Sequence, residues 1–142
     1  MVMATIRKSI SIHAPVERVF DYVADPAHLP AIWPSLVDVR NVEPHETGNS
    51  FDWAYKLLGM RIQGHSDPVE QVRNQRQVTR SVRGIPNTFR WLYASHDGET
   101  EVTLEVDYEV PFLGRLVRRL VGRINERDAE TLLTNLKHQL EA

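Results

Sequence analysis

Between Glu101 and Val110 the sequence EVTLEVDYEV alternates without a break. Val102, Leu104, Val106, Tyr108 and Val110 share one parity, and Glu101, Thr103, Glu105, Asp107 and Glu109 share the other. Side chains of a strand point to opposite faces in turn, so this segment predicts a β-strand with one face in a core and one in water. Such a strand needs a partner on each edge and a cover for its dry face. The partner precedes it. Asp97-Gly98 suits a two-residue hairpin turn, which requires residues tolerant of positive φ. That turn sets Tyr93 opposite Val102, Trp91 opposite Leu104 and Phe89 opposite Val106, so every apolar residue meets another.

The same pattern recurs upstream. From Leu36 to Val110 the spacing predicts six strands, with turn signals at NVEPHETGN, LLGM, SDP, RGIPN and HDGE. A turn at Leu58-Gly59 places Tyr55 opposite Ile62 and Trp53 opposite Gly64, an indole lying over a cross-strand glycine. Phe51, Trp53, Tyr55 and Leu57 then share a face. In the strand from Arg76 to Arg83 the register stays open, because either Val78 and Val82 or Gln77, Thr79 and Ser81 can point inward.

At the N-terminal end TIRKSISI carries Ile6, Ile10 and Ile12 on one parity, a half-buried first strand. It stops at Ala14-Pro15, where proline suits a helix start, and Val16, Val19, Phe20 and Val23 follow at helical spacing. Asp25-Pro26 repeats the start signal, so a second short helix is expected over AHLPAI before Trp33-Pro34 ends it. After Pro111 about 30 residues run without proline to the end, and predict one long helix. Strand, two short helices, six strands and a long helix make an α+β fold, an antiparallel sheet with a helix across one face.

The long helix carries an irregularity. At about 100° per residue, Leu113, Val117, Leu120 and Ile124 form one stripe suited to a concave sheet. Asp128, Thr131 and Asn135 continue it, while Ala129, Leu133, Leu136 and Leu140 centre roughly 180° away. Three arrangements satisfy this pattern: a bend near Gly122, a projecting half, or polar side chains lining a cavity. An unpartnered carboxylate in a dry core would be costly, so a solid core at Asp128 is disfavoured.

The order of elements and particular residues resemble the SRPBCC superfamily of START-like, Bet v 1-like helix-grip proteins. Its polyketide cyclase/dehydrase and coenzyme-Q-binding-like members are the most similar. The resemblance rests on SISIHAPVERVFDYVADPAHLPAIWPSL, the G-x-x-F-x-W run in GNSFDWAY, HDGETEVTLEVDYEVP and LTNLKHQLE, which with their spacing cover nearly the whole chain. It implies a single helix-grip domain over residues 1–142, a curved seven-stranded antiparallel sheet gripping the C-terminal helix. It also implies a cavity that in relatives takes lipids, quinones or polyketides. A shared fold does not choose among binding, catalytic and adaptor roles.

With such a cavity, the inward aromatics become candidate ligand contacts: Trp53, Tyr55, Trp91, Tyr93 and Tyr108, each a flat apolar body with a polar tip. Core packing is their ordinary role on a buried strand face. From the helix, Ile124, Asp128 and Thr131 complete the candidate set, with Asp128 a candidate hydrogen-bond or proton acceptor. No catalytic motif is identified. Arg115, Arg118, Arg119, Arg123 and Arg127 crowd 13 residues. They read as a solvated face, or as a surface for anionic lipid, nucleic acid or an acidic partner.

Several chemistries find no motif. Without cysteine the chain has no disulfide, thiolate metal site or cysteine nucleophile. The histidines His13, His28, His45, His65, His96 and His138 show no metal-ligand spacing, and the glycines form no phosphate-cradling loop, so no metal or cofactor is expected. A net charge of −2 gives no global attraction to nucleic acid. No run is long enough to span a membrane, and no leader pattern opens the chain, so a cytoplasmic location is expected. The leading expectation is a protein that binds a small hydrophobic molecule between sheet and helix. A cyclase/dehydratase using the same pocket is the alternative, and an adaptor using Arg115, Arg118, Arg119 and Arg123 is a third reading.

Overall fold

The computed structural model describes residues 2–110 and 114–141. Strand β1 (Val2–Ile12) leads to helix α1 (Val16–Ala24), a 3-10 turn (Pro26–His28) and the short helix α2 (Leu29–Ile32). Strands β2 (Leu36–His45), β3 (Gly48–Leu57), β4 (Met60–Val72), β5 (Arg76–Ser81), β6 (Asn87–His96) and β7 (Glu99–Val110) follow, and helix α3 (Arg115–Glu141) closes the described chain. The seven strands form one antiparallel sheet in the order β1-β7-β6-β5-β4-β3-β2. Six successive strands make a meander, and β1 returns to pair with the last of them.

The local causes are those expected. Val16, Val19, Phe20 and Val23 are the buried residues of α1, and the Asp25 side chain accepts the Ala27 N–H at 3.0 Å to start the 3-10 turn. Asp97 and Gly98 have φ of 52° and 80°, both positive as a twisted two-residue hairpin demands. Tyr93 pairs with Val102, Trp91 with Leu104 and Phe89 with Val106. Leu58 and Gly59 form the analogous turn, with Trp53 opposite Gly64 and Tyr55 opposite Ile62.

Two expectations need correction. SDP is not a turn: β4 runs straight through it, with a register irregularity between Pro68 and Glu70. A bulge accommodates a residue without an N–H inside a strand. The chain reverses instead at residues 73–75, where Asn74 takes a φ of 64°. NVEPHETGN likewise contributes strand up to His45, leaving Glu46 and Thr47 as the turn.

The register of β5 is decided in favour of the polar set. Gln77 and Ser81 are buried, whereas Val82 is 72 % exposed. Gln77 accepts the Tyr93 hydroxyl at 2.6 Å, and Ser81 accepts the Trp53 indole N–H at 3.0 Å. Buried aromatic tips need partners, so polar residues inside this sheet are required rather than tolerated.

The larger correction concerns α3. Val121, Ala129, Leu132, Leu133, Leu136 and Leu140 are its buried residues, a single face that spans both halves. The N-terminal part of the predicted stripe is turned to solvent: Val117 is 38 % exposed and Leu120 48 %, while Leu113 falls outside the described residues; Ile124 and Asp128, further along it, are half-buried. The face toward the sheet continues N-terminally through Asn125 and Val121 instead. The second half is tied down by polar contacts as well. Asn135 donates to the Ile32 carbonyl at 3.0 Å, Lys137 to that of Ser11 at 2.9 Å, and Arg18 to that of Leu140 at 2.8 Å.

Candidate functional site: an aromatic cavity with a tyrosine–aspartate pair in its wall

Curvature of the sheet and the standoff of α3 leave a cavity of about 130 Å³ between the concave face, the α1–α2 segment and α3. Trp53, Tyr55, Trp91 and Tyr108 line it from the sheet, and Asp128 lines it from the helix. These five come from the predicted set. Tyr93, Ile124 and Thr131 do not line it. Tyr93 is buried behind the wall, edge-on to Phe20 at 5.5 Å, with its hydroxyl on Gln77. Ile124 and Thr131 are half-buried and lie about 40° and 60° around the helix from Asp128, on the side away from Asn125 and Leu132.

Among the lining groups that sequence reasoning missed are Trp33, Phe51, Phe89 and Asn125. Trp33, at the end of α2, meets Tyr55 edge-on at 5.6 Å and Phe89 at 5.2 Å. Phe51 and Phe89 share the inward parity of Trp53 and Trp91, a signal already legible in the strand pattern. Asn125 lies three residues before Asp128, the spacing that puts two side chains on one helix face. No pattern in sequence flags Trp33, which arrives by way of the α1–α2 connection.

Polar side chains on β3 to β5, among them Asn49, Glu70, Gln71 and Gln77, also line the cavity, and the polar group where the sheet meets α3 is built around one hydroxyl. Tyr55 Oη donates to Asp128 Oδ2 at 2.6 Å and lies 3.3 Å from Asn125 Oδ1. A phenol has one proton, so it goes to the carboxylate at the shorter distance, and the hydroxyl lone pairs stay available to a donor. Burial, with Asp128 adding to it, pushes the Tyr55 phenol well above its ordinary range. Tyr55 is therefore a neutral donor near neutral pH. Beside it the Trp33 indole N–H is shut from solvent without a hydrogen-bond partner among the described residues. Burial likewise raises the Tyr93 hydroxyl.

Trp53 closes one wall. Its indole lies so close to Gly64 that a Cβ there would come 2.2 Å from Cζ2 and 2.6 Å from the Arg83 carbonyl oxygen. At Gly84, where φ is +83°, the same indole lies 2.8 Å from a would-be Cβ. Two glycines on neighbouring segments thus make the slot in which the ring sits.

Among the described residues no three His, Cys, Asp or Glu side chains gather as metal ligands, and no helix is long and apolar enough to cross a membrane. Arg115, Arg119 and Arg123 are exposed, and Arg118 is half-buried with its Nε shut from solvent and unpaired among the described residues.

A curved antiparallel sheet closing on a C-terminal helix over an internal cavity defines a helix-grip protein of the START-like class. The chain belongs to the family described as polyketide cyclase / dehydrase and lipid transport, whose model matches residues 3–141. A comparison with curated proteins finds no match. Among solved structures, the chain is similar to the ZhuI aromatase/cyclase from a Streptomyces species, with a TM-score of 0.86 at 15 % identity over 99 % of this chain and 94 % of that one. It is also similar to the protein TTHA0849 from Thermus thermophilus, with a TM-score of 0.79 at 24 % identity over 96 % and 97 %. A START superfamily protein from Mycobacterium smegmatis matches with a TM-score of 0.79 at 16 % identity over 96 % and 97 %. At these identities the likeness is one of fold.

Proposed function

We propose that this protein, in the cytoplasm, binds a small, largely apolar molecule in the cavity, with its polar end at Tyr55 and Asp128. The observation that carries the reading is an aromatic-lined cavity with a hydrogen-bonded pair in its wall, the buried Tyr55 hydroxyl and the half-buried Asp128 carboxylate. Apolar burial supplies affinity at about 25 cal/mol per Å², and the few polar groups supply orientation. The contacts are Trp53, Tyr55, Trp91, Tyr108 and Asp128. Tyr93 acts from behind the wall, and Ile124 and Thr131 flank the lining face of the helix.

Size narrows the choice. Drug-sized ligands occupy pockets of about 300–1,000 Å³. A cavity of about 130 Å³ takes a one-ring or two-ring compound as it stands, and a longer lipid or polyketide would extend out through its open mouth. A thermal-shift screen of quinones, fatty acids and aromatic polyketides, with native mass spectrometry of gently purified protein, tests the reading. Stabilisation by small aromatic compounds that Asp128→Leu or Ala129→Phe diminishes is expected. A bare polypeptide mass together with no stabilising compound would contradict it.

The second reading is a cyclase/dehydratase. Tyr55 and Asp128, 2.6 Å apart, form a proton-transfer pair that an apolar pocket would hold against a folded poly-β-keto chain. The structural neighbour ZhuI is described as an aromatase/cyclase, which is activity of this kind on the same fold. Turnover of a poly-β-keto thioester that Asp128→Asn lowers in kcat, with binding intact, distinguishes an enzyme from a binding protein.

A further inference from the structure

The outward face of α3 has no role in the cavity, yet it is unusual for a surface. Leu116 is 79 % exposed, Val117 38 % and Leu120 48 %, while Val121, which follows Leu120, is 4 % exposed. At about 100° per residue these three fall within a 100° arc on the side turned away from the sheet. Arg127 lies within that arc, Arg123 beside it and Arg119 about 60° beyond it, whereas Arg115 and Arg118 lie on the other side of the helix, and Glu126, the single acidic residue between positions 115 and 127, also lies off the arc. None of the five arginines forms an ion pair among the described residues. This cationic, apolar strip sits on a chain whose net charge is −2.

We propose that the N-terminal half of α3 is a docking surface for an anionic lipid bilayer, with Leu116, Val117 and Leu120 entering the interface and the arginines meeting headgroup phosphates. Charge decides among the occupants. Two copies of the chain packed through this strip would bring Arg119, Arg123 and Arg127 of one against the same three of the other. A nucleic acid would satisfy the arginines and leave the leucines wet. A bilayer of anionic lipid satisfies both at once, which is the pattern of a helix lying in a membrane interface. The surface adjoins the cavity, because Asn125 and Asp128 line the cavity on the following turns of the same helix. An apolar ligand would therefore leave the bilayer next to the Tyr55–Asp128 pair. The docking claim does not depend on that ligand.

The test is co-sedimentation of the full chain with vesicles of phosphatidylcholine alone and of phosphatidylcholine mixed with phosphatidylglycerol. Binding to the mixed vesicles at low salt is expected, with little to phosphatidylcholine alone. It should weaken as the screening length falls from about 10 Å at 0.1 M salt to about 3 Å at 1 M. Each arginine near such a surface contributes about fivefold, so R119E/R123E should lower partitioning at least about 25-fold. L116S/L120S should abolish it while the far-ultraviolet spectrum and Tm stay near wild type, since both side chains are already exposed. Wild-type protein that remains in the supernatant with anionic vesicles overturns the proposal, as does binding that both double variants retain. A dimer in sedimentation velocity that L116S/L120S dissociates, without vesicle binding, overturns it in favour of a second copy. Capture by an acidic protein without vesicle binding overturns it in favour of a protein partner.

Discussion

Removal of the Tyr55 hydroxyl and the Asp128 carboxylate, singly and together, tests the polar group where the sheet meets α3. A hydrogen bond to a charged partner contributes about 1.5–3 kcal/mol net. Tyr55 is 7 % exposed and Asp128 half-buried, so the two deletions are unequal in kind. In Tyr55→Phe the carboxylate regains some water, which holds the loss near the lower end, about 1.5 kcal/mol. In Asp128→Leu the buried hydroxyl keeps only Asn125 Oδ1 at 3.3 Å as an acceptor, and the loss is about 1–2 kcal/mol. The double variant leaves neither group orphaned, so its loss should fall short of the sum by about 1 kcal/mol or more. At roughly 3 °C per kcal/mol for a chain of this size, each single change lowers Tm by about 3–6 °C. The double variant should melt close to the worse single variant. Urea titrations followed by circular dichroism supply the free energies, with an unchanged m-value as the check that the unfolding transition is the same. Additivity within about 0.5 kcal/mol would refute the claim that these two groups act on each other.

Two further outcomes follow from particular contacts. Gly64→Ala drives a methyl into the Trp53 ring and the Arg83 carbonyl and lifts the indole N–H off Ser81. A loss of about 3 kcal/mol is expected by chemical denaturation, with altered near-ultraviolet tryptophan signals, and an unchanged midpoint would contradict the slot. On the convex face, His65 Nδ1 lies 2.6 Å from Asp52 and Nε2 lies 3.1 Å from Asp67. The bond to Asp52 is the main cause of a raised His65 pKa, and bonds from Asn41 and then His65 lower that of Asp52. His65 thus adds stability below its unfolded value of about 6.5, and loses it as pH rises through the higher folded value. The Asp52 contribution is present above about 3.9 and is lost as pH falls through the lower folded one. The pair is fully effective between about pH 4 and 6.5. An NMR titration should place the His65 midpoint above 6.5, and Asp52→Asn should bring it down; a midpoint at or below 6.5 in the intact protein would contradict the contact.

The sheet was legible in sequence because its determinants are local. Strict alternation from Glu101 to Val110 and the positive-φ turn at Asp97-Gly98 dictate strand, face and register without reference to the rest of the chain. The SDP segment misled for a related reason. Proline and aspartate punctuate turns in isolation, yet β4 absorbs Pro68 at a bulge because its neighbour on the other side, β5, holds the strand in place. The side of β5 that faces inward could not be read locally, since it depends on Trp53 and Tyr93 on other strands needing acceptors for buried polar tips.

Helix α3 marks the division most sharply. Its existence and length follow from some 30 proline-free residues, and Asp128 stood out as a polar group at a position where burial is expensive. Its orientation was not determined by its own pattern, because the helix carries two apolar stripes on opposite sides and periodicity alone cannot rank them. Tertiary structure chose the side of Leu132, Leu136 and Leu140, which packs against the core and is secured by Asn135, Lys137 and Arg18 to carbonyls of other elements. That choice turned Leu116, Val117 and Leu120 to solvent. It also brought Asp128 and Asn125 to Tyr55, a pairing across some 70 residues of chain that only the closed fold can make.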